Sequence, residues 1–522
     1  MKKLKLISIL GAGILLFTGC DSFLDTTPDN RAEVDTAAKV KQLLISAYPE
    51  NQICAALEYS TDNVMDNGIQ YSEIPNHLVE QAYYFEPVTE GGNDNPSMFW
   101  DGCYAAIASA NQALTSMNEM GQESEMLDAL RGEALLCRAW GHFALSLAFC
   151  ESYNAETAES HLGLPYMDHS ETEVSPKYTR GTLQELYVNI AKDIEVGLPL
   201  INDAIYDQPK YHFNKRAAYA MATRFYLNYQ KWDKAIECAD EVLGTNPSGI
   251  LRNWYSWRYD YSSTNDWING FITASEPANL LIEVTMGTPT RMMLASGARY
   301  NHSKVMGEQE TLRAKSIWST STSNYRDLLP ASLAYTSPQS LCFLTLPEKF
   351  EVTDEVAQTG YAHTVYIPFT TNKVILERAE VHCINGDLDK AVADINYWFG
   401  STLKNKTQYT RTQIVDFMKG INDMPLVPES DNQRTIKKAI NPDGFTIAEG
   451  DQMELIKFVL YLKRINFIHQ GGRMQDLKRY GIEYSHNVDR KEAIVMKKGD
   501  LRRVLQLPQE VITAGLEANP RP

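Results

Sequence analysis

Residues 215–247 read KRAAYAMATRFYLNYQKWDKAIECADEVLGTNP and predict a pair of packed helices. The relative spacing of the tetratricopeptide consensus is met by Ala222, Tyr226, Ala235, Ala239 and Pro247. In that repeat, small residues lie where two antiparallel helices touch, and a proline ends the second helix. Such a pair buries its apolar faces only by stacking on other helices, so we expect further helix pairs beside it.

The helical period extends well beyond this stretch. A weaker copy of the repeat covers 374–403, with Ala379 and Ala391 at the small positions and Asn385-Gly386-Asp387 in the turn. Apolar residues also recur at helical spacing in four other segments: 99–117, 127–149, 182–200 and 451–470. The fold class expected is therefore mainly α, a scaffold of tetratricopeptide-like helix pairs with little β structure.

The helical period is lost between residues 251 and 350. This region is rich in Gly, Ser, Thr, Pro and aromatic residues, and 280–285 (LLIEVT) is its one candidate strand. We expect an irregular, aromatic-rich lobe here, inserted between an N-terminal helical region at 36–250 and a C-terminal helical region at 351–522. Irregular insertions on a rigid scaffold are where binding residues concentrate.

Composition excludes several classes of protein. The 522 residues are 44% hydrophobic and 22% charged, as in an ordinary globular protein. A formal net charge of −17 repels phosphate backbones, so no nucleic-acid partner is expected. The chain has no G-x-S-x-G, H-E-x-x-H or P-loop sequence, so we expect no enzyme, no cofactor and no metal site.

The N-terminus predicts a lipid anchor. Three lysines precede a short apolar run at 6–17, which suits a signal peptide of residues 1–19 rather than a membrane span. Residues 16–20 (LFTGC) resemble the bacterial lipobox, which would make Cys20 the lipidated first residue and 20–35 a polar tether. The alternative is an ordinary signal peptide with a chance cysteine.

The cysteines do not form a recognisable framework. Their number after Cys20 is odd and none lies in a C-x-x-C, so buried free thiols are expected, with room for one disulfide. These cysteines are Cys54, Cys103, Cys137, Cys150, Cys238, Cys342 and Cys383.

Five motifs in order resemble the SusD/RagB family of outer-membrane nutrient-binding lipoproteins, over nearly the whole mature chain. The motifs are CDSFLD at 20–25, WDGCYAAIASAN at 100–111, RGEALLCRA at 131–139, GLPY at 163–166 and GGRMQDLKRYG at 471–481. Two departures mark a divergent member: Gln470 stands where the family usually has Glu, and the closing Asn-Pro-Gly-Tyr is reduced to NPRP at 519–522.

This resemblance implies a function that composition and periodicity do not indicate. It implies a tetratricopeptide-rich fold that packs as a hinged lid on a SusC-like TonB-dependent transporter. It also implies a lipid-anchored position in the outer membrane, facing the cell surface, and capture of a glycan. The alternatives are a peptide or glycopeptide ligand, as in the RagB branch, or a helical-repeat scaffold that binds no nutrient.

Three groups of residues are candidates for ligand contact, because sugars need aromatic rings as platforms and polar groups at the rim. The densest group is Trp254, Tyr255, Trp257, Arg258, Tyr259, Tyr261, Asn265, Asp266 and Trp267, whose rings follow no helical stripe. The second lies before the Trp100 helix: Tyr83, Tyr84, Glu90, Asn93, Asp94 and Asn95. The third is Trp318, Tyr325 and Arg326. The competing interpretation is that the rings pack the lobe onto the helices.

Other conspicuous residues are expected to be structural. Tryptophans on or beside helices should pack in the core: Trp100, Trp140, Trp232 and Trp398. Buried ion pairs that fix the helix array should involve Arg138, Arg473, Asp476 and Arg479. His142 and His469 are expected to be hydrogen-bonded packing residues rather than metal ligands.

Overall fold

The computed structural model describes residues 34–71, 77–171, 176–261, 263–294, 297–319, 326–343 and 345–522, without the side chains of residues 264 and 265. The signal peptide, Cys20 and nearly all of the tether lie outside these residues. The described helices are α1 Ala37–Leu43, α2 Cys54–Tyr59, α3 His77–Tyr83, α4 Pro96–Met120, α5 Glu125–Phe149, α6 Leu183–Gly197, α7 Lys215–Asn228, α8 Trp232–Leu243, α9 Trp254–Tyr259, α10 Thr264–Ile272, α11 Pro289–Met293, α12 Lys304–Gln309, α13 Leu329–Leu333, α14 Thr371–Ile384, α15 Leu388–Thr402, α16 Arg411–Lys419, α17 Asp451–Asn466, α18 Arg473–Arg479 and α19 Gln509–Thr513.

The strands are short and few beside these helices. They are β1 Met65–Asp66, β2 Glu283–Met286, β3 Tyr300–Asn301, β4 Tyr335–Thr336, β5 Leu341–Cys342, β6 Glu348–Asp354, β7 Thr359–Tyr366, β8 Tyr484–Val488 and β9 Lys491–Met496. The protein is therefore mainly α, as its sequence predicts.

The predicted helix pair at 215–247 is formed by α7 and α8. Ala222, Ala235 and Ala239 are fully buried where the two helices meet, and Asn214 caps the start of α7. The second pair is formed by α14 and α15, and α14 also packs on α8 and α17. Thirteen consecutive residues of α14, from Thr371 to Cys383, are buried, because other helices surround it.

The N-terminal part packs α4, α5 and α6 side by side. Thr182 caps α6 in a capping box with Glu185, so the helix begins where the segment predicted at 182–200 begins. Gly132 of α5 lies so close to α6 that an added Cβ would be 2.9 Å from the Gly197 carbonyl oxygen. This close approach holds the two helices together without intervening side chains.

The region 251–350 contains more regular structure than its sequence suggests. Five short helices, α9 to α13, lie within it among the described residues. The strand expected at 280–285 begins only at Glu283 and ends at Met286, while Leu280, Leu281 and Ile282 are buried before it. The region after residue 350 continues as strand, because β6 and β7 form an antiparallel hairpin in a three-stranded sheet of order β2-β7-β6.

Two further strand pairs contact each other and so bring distant parts of the chain together. Strand β1 pairs with β3, which fixes Met65 and Asp66 beside Asn301 and Tyr300. Strands β8 and β9 pair near the C-terminus, and β1 contacts β8. All seven described cysteines are buried and free. Within the described ranges, no helix has both the length and the apolar character to cross a membrane.

Candidate functional site

The three tryptophans of the 254–267 cluster lie inside the protein. Trp254, Trp257 and Trp267 are buried, and Trp267 stacks on Phe343 with ring centroids 5.8 Å apart. The prediction that these rings form an exposed platform is wrong. Trp254 and Trp257 are three residues apart on the short helix α9 and so point to the same inner face.

A buried arginine holds these rings together. The Arg252 guanidinium lies over the rings of Phe271 at 3.9 Å, Trp257 at 5.1 Å and Trp254 at 5.6 Å. It also donates a hydrogen bond to Asn279 Oδ1. Burial lowers the pKa of Arg252 to about 10. This packing anchors α9 and α10, so the tryptophans serve as the base of the lobe.

The outer face of α9 carries the exposed rings. Tyr255 and Tyr259 are 46% and 48% exposed, and their ring centroids are 4.6 Å apart. Tyr261 is 38% exposed and rests against Trp257 at 5.2 Å. We call Tyr255, Tyr259 and Tyr261 the tyrosine face.

Polar groups border the tyrosine face. The half-buried Arg258 guanidinium lies over the Tyr259 ring at 5.5 Å, and Asp260 and Asp266 are exposed. The side chain of Asn265 is outside the described part of the chain. Tyrosine combines an apolar ring with a hydroxyl group, so this surface offers both ring faces and hydrogen-bonding groups to a ligand.

The second predicted group is divided between the core and the surface. Tyr83 is fully buried, donates to the Asn487 carbonyl oxygen at 2.6 Å and stacks on His486, so its prediction as a ligand contact is wrong. Tyr84 is half-buried, with its hydroxyl oxygen 3.2 Å from that of Tyr300.

Asn95 and Asp94 of this second group have structural partners. Asn95 caps α4, and its side-chain oxygen accepts a hydrogen bond from the Met98 N–H. Asn93 is exposed. Asp94 is buried and accepts from Gln52 at 2.9 Å and from the Thr288 N–H at 2.8 Å. Burial raises the pKa of Asp94 to about 6.

The third group is a packing contact on the scaffold. Trp318 is half-buried and stacks on Tyr461 of α17, with an interplanar angle of 7°. Arg326 is exposed, and Tyr325 lies outside the described residues. The structure thus places Trp318 against Tyr461, Tyr84 against Tyr300, and the tyrosine face on α9.

One polar junction is not indicated by the sequence. Arg299 donates from Nε and Nη2 to the two carboxylate oxygens of Asp66, both at 2.8 Å. Burial acts to raise the pKa of Asp66, but the hydrogen bonds from Arg299 hold it below its ordinary value. Asn67 beside them donates to Asn301 at 2.8 Å. The β1–β3 pairing creates this junction from segments more than 200 residues apart, so no local pattern could reveal it.

The arginines and tryptophans predicted to be structural are confirmed as such. Buried ion pairs join Arg138 to Asp193, Arg473 to Asp62 and Arg479 to Glu380. Trp100, Trp140 and Trp398 are buried, and Trp232 packs on Phe445.

His142 is buried with both ring nitrogens in hydrogen-bond contact, to the Arg138 carbonyl oxygen and the Met167 N–H. Burial lowers its pKa to about 3. In the part of the chain that the structure describes, no three His, Cys, Asp or Glu residues are grouped so as to hold a metal ion.

The architecture is an array of helix pairs, and comparison with known proteins shows which proteins the chain resembles. Residues 22–227 match the SusD-like_3 family, described as "Starch-binding associating with outer membrane". SusD-like protein P2 of Formosa agariphila is 25% identical over 165 residues, which are 31% of this chain and 30% of that relative. The matched part of that relative is therefore less than a third of its length.

Solved structures extend the likeness to the whole fold. A SusD superfamily protein from Bacteroides thetaiotaomicron is 17% identical, with a TM-score of 0.61 over 93% of this chain and 100% of the other. A SusD-like carbohydrate binding protein from Bacteroides vulgatus is 12% identical, with a TM-score of 0.55 over 92% of this chain and 96% of the other. The chain therefore shares the fold of these structures, and its N-terminal part matches the SusD-like_3 family.

Proposed function

We propose that this protein captures an oligosaccharide or polysaccharide at the outer membrane and acts by binding alone. The observation that carries the proposal is the tyrosine face. Two rings 4.6 Å apart stand exposed on a helix whose other side is fixed by buried tryptophans. A rigid support lets the rings meet a sugar with little loss of conformational entropy on binding. The sugar-binding descriptions of the family and of a structural neighbour support the same reading.

The proposal includes anchoring and delivery. Lipid on Cys20 would hold the protein at the membrane, and a SusC-like TonB-dependent transporter would receive the glycan. The lipobox-like residues 16–20 support the first part. The family's description as associating with the outer membrane supports the second.

Native affinity electrophoresis of residues 21–522 through gels containing plant, host and microbial polysaccharides tests the binding. We expect one polysaccharide to retard the wild type and Tyr255→Ala/Tyr259→Ala to lose at least about 1 kcal/mol of affinity, roughly fivefold. Tyr211→Ala is the matched control, because Tyr211 is 45% exposed on a different element, a short turn of 3-10 helix. The bound polysaccharide should keep its chain length during incubation.

The outcomes separate the alternatives. Equal retardation of the wild type and the double variant would remove the tyrosine face as the binding surface but leave glycan capture standing. Binding of peptides in place of every polysaccharide would support the RagB-like alternative. A mature protein that retains neither class of ligand would favour the scaffold alternative.

A further inference from the structure

The hairpin formed by β6 and β7 extends from the protein as an arm. Twelve consecutive residues, 350–361, are exposed, although the backbone of β6 is paired with β7 through this segment. Phe350 is 58% exposed, Val352 42%, Tyr361 40% and Val356, at the tip, 97%. We call residues 348–366 the arm.

The outer edge of the arm is unpaired in the described sheet. The strand order is β2-β7-β6, so β6 has β7 on one side only. A regular register runs from Glu348 to Val352 and shifts before Asp354. Lys349, the one lysine on this edge, donates to Asn269 of α10. Proteins usually protect an exposed edge strand by charge or by covering it, because its free N–H and C=O groups can pair with another chain.

The two faces of β6 differ in chemistry. Cross-strand pairing places Phe350 opposite Ala362 and Val352 opposite Gly360 on one face. Glu351 lies opposite Tyr361 on the other face and accepts a hydrogen bond from its hydroxyl at 2.7 Å. A partner strand laid against β6 would therefore need apolar side chains on the first face and a positive charge near Glu351 on the second.

The charge of the arm distinguishes between two possible partners, a second copy of this chain and a basic strand. Segment 350–361 contains Glu351, Asp354 and Glu355 and no Lys or Arg. A second copy of this chain would bring like charges together across the paired edges, which destabilises a strand pair. A basic strand would neutralise them.

We propose that the arm is a docking surface for a partner protein that adds an extended, basic segment as a strand along β6. Main-chain hydrogen bonds to the free edge would supply part of the affinity, and contacts with Phe350, Val352 and Glu351 would supply the specificity. This surface is separate in role from the tyrosine face, and the inference holds whatever ligand the protein captures.

A fluorescent peptide of sequence KVKVKVK tests the proposal. As a strand it places its valines on one face, to meet Phe350 and Val352, and its lysines on the other face, to meet Glu351. We expect saturable binding to the full mature chain, measured by anisotropy, and slower hydrogen exchange of the amides of 348–352 when the peptide is bound. Phe350→Ser/Val352→Ser and Glu351→Lys/Glu355→Lys should each weaken binding by about tenfold or more. Asp354 is left unchanged, because its side chain accepts from the Val356 and Ala357 N–H groups of the turn.

Matched controls separate strand pairing from general attraction to an acidic protein. Glu119→Lys/Glu123→Lys makes the same change in net charge at two exposed sites elsewhere, and it should change binding by less than about twofold. The peptide KVKPKVK keeps the charge but cannot form a regular strand, so it should bind at least about tenfold more weakly.

Several results would overturn the proposal. One is failure of KVKVKVK to bind the wild type; another is equal binding by the wild type and both arm variants. A third is a wild-type dimer, seen by light scattering, that becomes monomeric in the arm variants, since the arm would then join copies of this chain. Unchanged melting temperatures and glycan retention in the arm variants would show that their effects are confined to docking.

Discussion

Glu283 is a carboxyl group enclosed where the sheet meets the helices. It lies on the buried face of β2, and its Oε1 accepts from the Trp140 indole N–H at 2.9 Å. Burial raises its pKa from 4.5 to about 8, although the Trp140 hydrogen bond and the charge of Lys373 act in the opposite direction. The folded protein therefore keeps a proton on Glu283 at neutral pH, whereas the unfolded chain releases it.

The pH dependence of stability follows from that difference. As the pH rises from about 4.5 to about 8, the unfolded state loses the proton that the folded state retains, so the wild type loses stability over this window. Glu283→Gln keeps the acceptor for Trp140 but has no proton to release. We expect its free energy of unfolding, measured with urea, to rise relative to that of the wild type by on the order of 3 kcal/mol between pH 5 and 8, and the difference to level off above the folded-state pKa of about 8.

The control for this measurement is Glu119→Gln, at an exposed carboxyl group on α4. Its stability difference from the wild type should stay within about 0.5 kcal/mol at every pH. A Glu283→Gln difference that is equally independent of pH would show that Glu283 is ionised in the folded protein.

At the scale of the element, the α7–α8 pair depends on small side chains at its contact. Ala239 of α8 is fully buried, and protein interiors are close-packed, so a longer side chain here has to displace its neighbours. We expect Ala239→Leu to lower the free energy of unfolding by about 1–3 kcal/mol through overpacking. Glu237→Leu introduces the same residue on the exposed face of α8 and should change stability by less than about 0.5 kcal/mol. Equal melting temperatures for both variants would contradict this account of the repeat.

Elements could be predicted from the sequence where local pattern specifies them. The helices α4, α5, α6 and α17 and both helix pairs follow from periodicity and capping residues that lie within each segment. The sequence does not indicate the β6–β7 hairpin, because apolar and polar residues alternate only weakly along its two strands. The inward direction of Trp254 and Trp257 was missed because α9 has only six residues, too few for a period to be visible.

The candidate site, too, could be predicted only as far as local sequence pattern specifies it. The 254–267 cluster carries exposed rings, but its composition does not distinguish Tyr255 and Tyr259 from the buried tryptophans beside them. Burial depends on Arg252, Phe271 and Phe343, which surround the inner rings in three dimensions. Whether the tyrosine face binds a glycan remains a prediction.

At the scale of the whole molecule, a buried ion network connects distant regions of the chain. Asp62 of the N-terminal region accepts from Arg473 through both oxygens at 2.9 Å and pairs with Lys438 at 2.9 Å. Glu310 of the inserted lobe pairs with Arg464 at 3.0 Å and with Arg434 at 2.6 Å. Each helix pair has contacts of its own, but this network joins the N-terminal region and the lobe to the C-terminal helices.

The network predicts long-range coupling of stability. Burial acts to raise the pKa of Asp62, but Arg464, Arg473 and Lys438 hold it well below its ordinary value, so the carboxylate stays ionised. Asp62→Asn would leave these buried cations without their counter-charge, and we expect a loss of about 3–5 kcal/mol in the free energy of unfolding. Arg473→Gln should lower the free energy of unfolding by a similar amount. The double variant should lower it by less than the sum of the two single losses, because the second change removes the unpaired charge that the first one leaves.

The reference for these variants is Asp387→Asn, which removes the exposed pair with Lys390 and should leave the free energy of unfolding nearly unchanged, because solvent screens an exposed ion pair. Limited proteolysis supplies the readout of coupling. If the network joins the three regions, Asp62→Asn should speed cleavage in the inserted lobe and in the C-terminal helices as well as near residue 62, because the Glu310 pairs share the cations that Asp62 balances. Faster cleavage confined to the segment around residue 62 would instead show that the packing within each region stabilises it. The buried ion pairs would then not couple the stability of the three regions.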